Sequence, residues 1–509
     1  MKFSLRKKKM KNKALSDELT YSHPKQEPLN EGILRNLFQK CPDVYFQEYQ
    51  SGDPVQRVLF IFCSGMVDQD TMNRLLQDRI HQFLDALDPC DEMTYSLIQE
   101  QLHLPNVQEV HLANEVISDV FSGKTLIYFE NTGYLVSTNL SKRPQRTPEE
   151  SKMEVTIKGP RDNFIEDLTT NISLIRKRLK TNSMCVEFFE VGRRSKTTIS
   201  LLYMDDIANP DLLEKARKKI EAIDIDAIYG GNQLMELIEE NGNLFPLHNY
   251  TGRPDFVVQS LLSGRITILL DGVAYAIIIP SNILLQLKAA EDSEYTAIYS
   301  SLARFLRFIG VFIATLLPAF WVAVTGFHQN QIPFALLTTV IESRMGVPLP
   351  IPLEALLMLV LFELFREAGL RLPIAIGQTL SVVGGLIIGD AAIQAGLTSP
   401  VTVVVIAVST IATFTLVNQS IIGAISILRF LSLILASIFG LFGFCLSFFF
   451  ILIYLASLHT FGYPYLEIAT RASFSHFMKS LFRLPTNRYI SRPQEFHPKD
   501  PTRKGSDKG

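Results

Sequence analysis

Apolar positions follow two different rules along the chain. Residues 1–305 alternate polar and apolar at the spacing of a globular protein, whereas long stretches between Leu306 and Leu458 carry almost no charge. In the first region, the run VLFIFCS from Val58 to Ser64 has the make-up of a buried strand, and Asp68 is placed to cap a following helix. The run ISLLYMD from Ile199 to Asp205 reads the same way, with Asn209 as the cap and Pro210 at the first helical position. Each run has a later companion, SGKTLIYFE from Ser122 and SGRITILLD from Ser263, and the strand-to-companion distance is 64 positions in both cases. That equal offset points to a divergent duplication. A Pro-rich, charged stretch over 141–151 has the composition of a linker. A helix is expected over 163–179, with Phe164, Leu168, Ile172 and Ile175 on its apolar stripe.

The second region contains five apolar segments: Leu306–Gly326, Ile351–Phe365, Leu372–Gly396, Pro400–Ala424 and Phe430–Leu458. The first is about 21 residues, enough to cross a bilayer core of about 30 Å. The expected fold is therefore an α/β soluble N-terminal region of two related subdomains, followed by an all-α polytopic membrane domain. The expected divisions are a disordered basic arm over 1–29, subdomains over 30–160 and 161–300, and a helical membrane domain of four or five spans over 301–458. A basic cytoplasmic tail follows over 459–509. The basic start lacks the apolar core of a secretory signal peptide.

Polar residues inside apolar segments are the candidates for function, because a carboxylate at bilayer depth costs about 2.5–3.5 kcal/mol and must face protein or water. Glu354 and Glu363 are nine positions apart, which puts them on opposite helix faces, and Glu363 is spaced to pair with Arg366. Asn418 and Gln419 form a further polar pair. Gln378, Ser381, Gly385 and Gly389 recur at spacings of three and four, a stripe suited to close helix packing or, with Val382, to lining a pore. An even number of crossings is needed if both termini lie inside, and five segments leave that count open.

Charge and cysteine usage narrow the chemistry. Forty-nine basic against 51 acidic residues leave no field for nucleic acid. The cysteines Cys41, Cys63, Cys90, Cys185 and Cys445 have no metal-binding spacing and read as reduced thiols. Gly123-Lys124-Thr125 and Gly230-Gly231 lack the surroundings of a phosphate loop, and Ser64-Gly65 lacks those of a nucleophile elbow. Asp205 and Asp206, at a strand end, read as a turn device before a cation site. No catalytic, cofactor or metal constellation is expected, and the chain is not expected to be an enzyme.

Longer motifs carry a family resemblance. They include GRPD from Gly252, SGR from Ser263, LDG from Leu270, EDSEY from Glu291 and LPAFWVA from Leu317. IESRMGVPLP from Ile341, ELFREAGLRLP from Glu363 and IGQTLSVVGGLIIG from Ile376 extend the match. The chain resembles the A subunit of the GerA-type spore germinant receptors from about residue 30 on, with no comparable signature in the basic arm or the tail. The resemblance implies a multi-pass protein of the spore inner membrane, its large N-terminal region on the core side. It implies a transporter-like B subunit and a lipoprotein C subunit as partners. It also implies a homo-oligomer, a pentamer, forming a nutrient-gated ion channel. A non-conducting scaffold, or the paralogue linked to the dipicolinate channel, would share these motifs.

Overall fold

The structure, a computed structural model, describes residues 29–51, 56–85, 94–142, 158–239, 242–371, 389–466, 482–485, 487 and 491–503. The chain forms two compact units. The first is Met1–Pro144 with Lys180–Asn182, and the second is Gln145–Leu179 with Ser183–Gly509.

The first unit is built on strands β1 (Val44–Ser51), β2 (Gln56–Cys63), β3 (Gln108–Glu109), β4 (Thr125–Phe129) and β5 (Leu135–Thr138). They form an antiparallel sheet in the order β1-β2-β4-β5-β3. Strand side chains alternate between faces, and here both faces are apolar. Val58, Phe60, Ile127 and Phe129 pack on one side against Ile80, Phe83 and Ile98. Leu59, Ile61 and Leu126 pack on the other against Leu34, Val116 and Val120. The helices supplying those residues are α1 (Glu31–Leu37), α2 (Gln77–Asp85), α3 (Tyr95–Gln101) and α4 (Ala113–Val120). Asp68 caps as expected, its side chain accepting from the Thr71 N–H.

The second unit repeats this plan. Its strands are β6 (Met184–Val191), β7 (Thr197–Met204), β8 (Asn249–Thr251), β9 (Ile266–Leu270) and β10 (Ala276–Ile279), in the order β6-β7-β9-β10-β8. Register is conserved as well as order. Val58 faces Phe129 in the first sheet and Ile199 faces Leu270 in the second, each partner 141 residues later. Helices α5 (Leu168–Arg176) and α8 (Pro254–Leu261) cover one face, and α6 (Pro210–Glu221) and α7 (Gly231–Glu239) cover the other. Asn209 caps α6 and Pro210 takes its first position. The helix expected over 163–179 is shorter, because Asp167 caps the chain at Leu168 and the Asn171 side chain holds the Ile165 backbone in a loop. Phe164 remains in the core from that loop.

The same unit continues into helices α9 (Ala297–Phe327), α10 (Phe334–Ser343), α11 (Ile351–Arg371), α12 (Pro400–Thr413), α13 (Gln419–Phe439) and α14 (Leu441–Ser457). Among the described residues, Ala297–Phe327 and Ser420–Ser457 are the stretches long and apolar enough to cross a membrane. Two expected segments are divided differently from the sequence reading. Pro400–Ala424 is broken where Asn418 caps a new helix with its side chain on Ser420 N. Phe430–Leu458 is broken at Gly440, whose φ of +59° and ψ of −136° suit glycine alone. The chain reverses there, and Ile451 and Leu455 of α14 return to Ile421 and Ile425 of α13. The tail after α14 does not trail away. Residues 459–464 form a small hairpin, and 491–502 lie against the second α/β repeat.

Candidate functional site

Three polar assemblies lie where the second repeat meets the helices and within the bundle. The first is at the start of α9. Asp292, 3% exposed, accepts from Arg304 Nε at 2.8 Å and from Arg307 Nη2 at 3.0 Å, while Arg307 Nη1 also reaches the Leu287 carbonyl. The Ala289 N–H donates to the same carboxylate. Two guanidiniums on one buried carboxylate fix the angle at which α9 leaves the repeat.

The second assembly is the joint at Asn418. Its Oδ1 caps α13, and its Nδ2 donates to Asn249 Oδ1 at 2.9 Å and Gln286 Oε1 at 2.6 Å. Gln286 in turn donates to the His248 carbonyl at 2.7 Å and to Ser281 Oγ. Asn418, Asn249 and Gln286 are all buried. One side chain thus ties the first turn of α13 to strand β8 and to the loop that precedes α9. Tyr465, fully buried beside this joint, has its phenol pushed up by burial.

The third assembly is a charged chain through the bundle. Pro318 lacks an N–H, which frees the Ala314 carbonyl one turn earlier in α9, and Ser409 Oγ of α12 donates to it at 2.9 Å. Arg429 Nη1 of α13 donates to Ser409 Oγ, and its Nη2 reaches Glu363 Oε2 of α11 at 3.0 Å. Glu363 also holds Arg366 in the i,i+3 pair that the spacing predicts, and Arg366 donates to Ser426 Oγ at 2.8 Å. Glu354 turns to a different neighbour. Fully buried, it accepts from the N–H and hydroxyl of Ser399, both at 2.6 Å, and from Thr398 Oγ1, with Arg344 Nε 3.6 Å away. The two carboxylates face protein on separate sides of α11.

The remaining sequence candidates divide. Gln378, Ser381, Val382 and Gly385 lie outside the described residues, as does the side chain of Gln419. Gly389 is buried, and a Cβ there would come 3.9 Å from Val403 Cγ1 of α12. Asp205 lies beside Lys499, 3.8 Å away, and burial pushes the Asp206 carboxyl above its usual range. Among the described residues no three His, Cys, Asp or Glu side chains gather as a metal site. Arg429, Ser409 and Pro318 were missed. Arg429 falls between two expected segments, and the available signal was a proline in an apolar helix, whose freed carbonyl needs a donor.

The profile of the Bacillus/Clostridium GerA spore germination protein family matches residues 32–495, so the match extends through most of the tail, beyond the sequence expectation. Spore germination protein XA of Bacillus anthracis is 40% identical over 486 residues, 93% of this chain and 97% of that protein. Spore germination protein KA of Bacillus subtilis is 33% identical, over 91% of this chain and 86% of that protein. The uncharacterized membrane protein YfkQ of Bacillus subtilis is 34% identical, over 85% and 84%. The crystal structure of the N-terminal domain of the A subunit of the Bacillus megaterium spore germinant receptor GerK3 is 26% identical. That match covers 50% of this chain and 97% of that one, with a TM-score of 0.39.

Proposed function

The chain belongs to the Bacillus/Clostridium GerA spore germination protein family, and from that premise we propose that it is the A subunit of a spore germinant receptor. In this reading it resides in the spore inner membrane with a transporter-like B subunit and a lipoprotein C subunit. It assembles as a pentamer into a nutrient-gated ion channel, with Gln378, Ser381, Val382 and Gly385 near the lumen. Its repeats act in assembly and gating and carry no catalysis.

One observation carries the gating part. Asn418 joins α13 to Asn249 and Gln286 of the second repeat through buried hydrogen bonds, so a displacement of the repeat is felt at the first turn of α13. The helix directions support both flanks of the bundle lying on one side. The start of α13 and the end of α12 pack with Leu247 and Leu287 of the repeat, and the end of α14 returns there. Ile351, at the start of α11, instead packs with Val322, late in α9, and Leu433 of α13. The start of α9 and the end of α14 then lie on the repeat's side of the bundle. The matched intramembrane charges, Glu363 with Arg366 and Arg429, favour a second reading as a non-conducting scaffold. Cation efflux from liposomes holding the purified receptor separates the two. A channel gives nutrient-dependent efflux that is lost without this subunit, and a scaffold gives none.

A further inference from the structure

Each α/β repeat has an equivalent groove of its own, and the two grooves are filled from different parts of the chain. In the first repeat, the strand leaving β5 runs antiparallel to residues 66–68. The Lys142 N–H donates to the Met66 carbonyl at 3.0 Å, and the Asp68 N–H donates to the Leu140 carbonyl at 3.0 Å. Ser141 bridges Val67 and crowds Gly123, where a Cβ would lie 2.9 Å from Ser141 Cβ. The positions 141 residues later are Ile207, Asn209 and Gly264. The chain leaving β10 cannot serve them, because Asn282 caps a short turn there and directs it toward α9.

The C-terminal segment takes its place. The Lys499 N–H donates to the Ile207 carbonyl at 3.0 Å, as Lys142 does to Met66. Pro498 lies against Gly264, 3.6 Å from a Cβ position there, where Ser141 lies against Gly123. Phe496 anchors the segment. It is 2% exposed, stacked by the Arg265 guanidinium at 4.4 Å and edged by the Tyr463 ring at 5.6 Å. Its carbonyl accepts from Asn209 Nδ2 and from the Tyr463 hydroxyl, both at 3.3 Å. Arg492 Nε reaches the Leu262 carbonyl, and Asn282 donates to Glu495. Arg265 stands where the first repeat has Lys124, and a planar guanidinium can stack on a ring where an ammonium is a point charge.

We propose that the groove between Ile207 and Gly264 is a docking site for a short peptide with an aromatic anchor, occupied in cis by residues 495–500, whose anchor Phe496 ends a 3-10 turn over Gln494–Phe496. Its occupancy ties the end of α14 back to the second repeat, giving that repeat a non-covalent hold on the bundle in addition to the α9 connection. The Lys499 N–H on the Ile207 carbonyl and side-chain bonds from Asn209 and Arg492 supply the fit, and the Phe496 pocket supplies the selectivity.

The test uses the full-length protein in detergent with a protease site inserted after Arg488, cut only after folding. Gel filtration then asks whether the released tail travels with the body. The tail is expected to co-elute, and Phe496→Ala is expected to release it at least tenfold faster while the body elutes unchanged. A parent tail that leaves at once on cutting, or a Phe496→Ala tail held as firmly as the parent, overturns the proposal.

Discussion

The two α/β repeats have one strand order and one register, and they differ in what the outgoing chain does. In the first repeat that chain stays home and closes its own groove through Leu140, Ser141 and Lys142. In the second it departs at Asn282 for α9, and the groove is closed by a segment more than two hundred residues away, after the helices have been traversed. One repeat thus closes its own groove, and the other is laced into a helical bundle. The difference rests on few residues: the Asn282 cap, the Asp292 clamp on Arg304 and Arg307, and the Asn418 joint.

Cutting the Asn418 joint is expected to have the largest effect on the second repeat alone. Asn418→Ala removes a helix cap and strands the amides of Asn249 and Gln286, and is expected to cost the second unit roughly 3 kcal/mol. Hydrogen exchange on the full chain should show faster exchange in β8 and the start of α13, with the first repeat unmoved. Equal loosening of both repeats would mean that the joint does not act on the second repeat alone.

Next are the paired glycines. Gly123 and Gly264 both have positive φ, +85° and +88°, but a Cβ at Gly123 meets the Met66 carbonyl at 2.7 Å while Gly264 has nothing nearer than 3.6 Å. Gly123→Ala is expected to cost about 3 kcal/mol and Gly264→Ala about 1 kcal/mol, the latter being backbone strain alone. Thermal unfolding read from each repeat's own exchange-protected peptides checks the order, and a larger effect at Gly264 would mean that the tail packs more tightly than the home strand.

The caps come third. Asp68→Ala should cost about 1 kcal/mol and Asn209→Ala about 2 kcal/mol, since Asn209 also holds the Tyr463 hydroxyl and the Phe496 carbonyl.

The smallest effect is a pH dependence confined to the second repeat, where Asp206 stands at the position of Gly65. Burial raises the Asp206 carboxyl in the folded chain. The folded state therefore binds this proton more readily than the unfolded one, and the contribution is full below the unfolded value near ~3.9. It is lost as pH rises through the folded value. Asp206→Asn should unfold at a higher temperature than the parent at neutral pH, with the gap closing near pH ~4.

Much of the α/β fold was legible because its signals are local. Strand composition, the caps at Asp68 and Asn209, Pro210 and the equal offset of 64 positions all lie within short windows. The Glu363–Arg366 pair was legible for the same reason. The bundle was less so. In an uninterrupted apolar run, a hairpin needs only Gly440 to reverse, and hydropathy does not register one residue. The joint was illegible because Asn418 finds partners 169 and 132 positions away. Arg429 was overlooked for a related reason: its partner Glu363 sits on another helix, and neither residue has a periodic signature. The docked tail shows no apolar period at all, since one ring, one backbone bond and a few side-chain bonds hold it.

In the proposed function the second repeat moves the bundle through the Asn418 joint and opens an ion path. Cation efflux from liposomes containing the complete receptor, with parent or Asn418→Ala subunit at matched folded amounts, tests this coupling. Nutrient-triggered efflux is expected for the parent, with at least a tenfold loss of the triggered component for Asn418→Ala. Equal triggered efflux from both, or none from a fully assembled parent receptor, would contradict it.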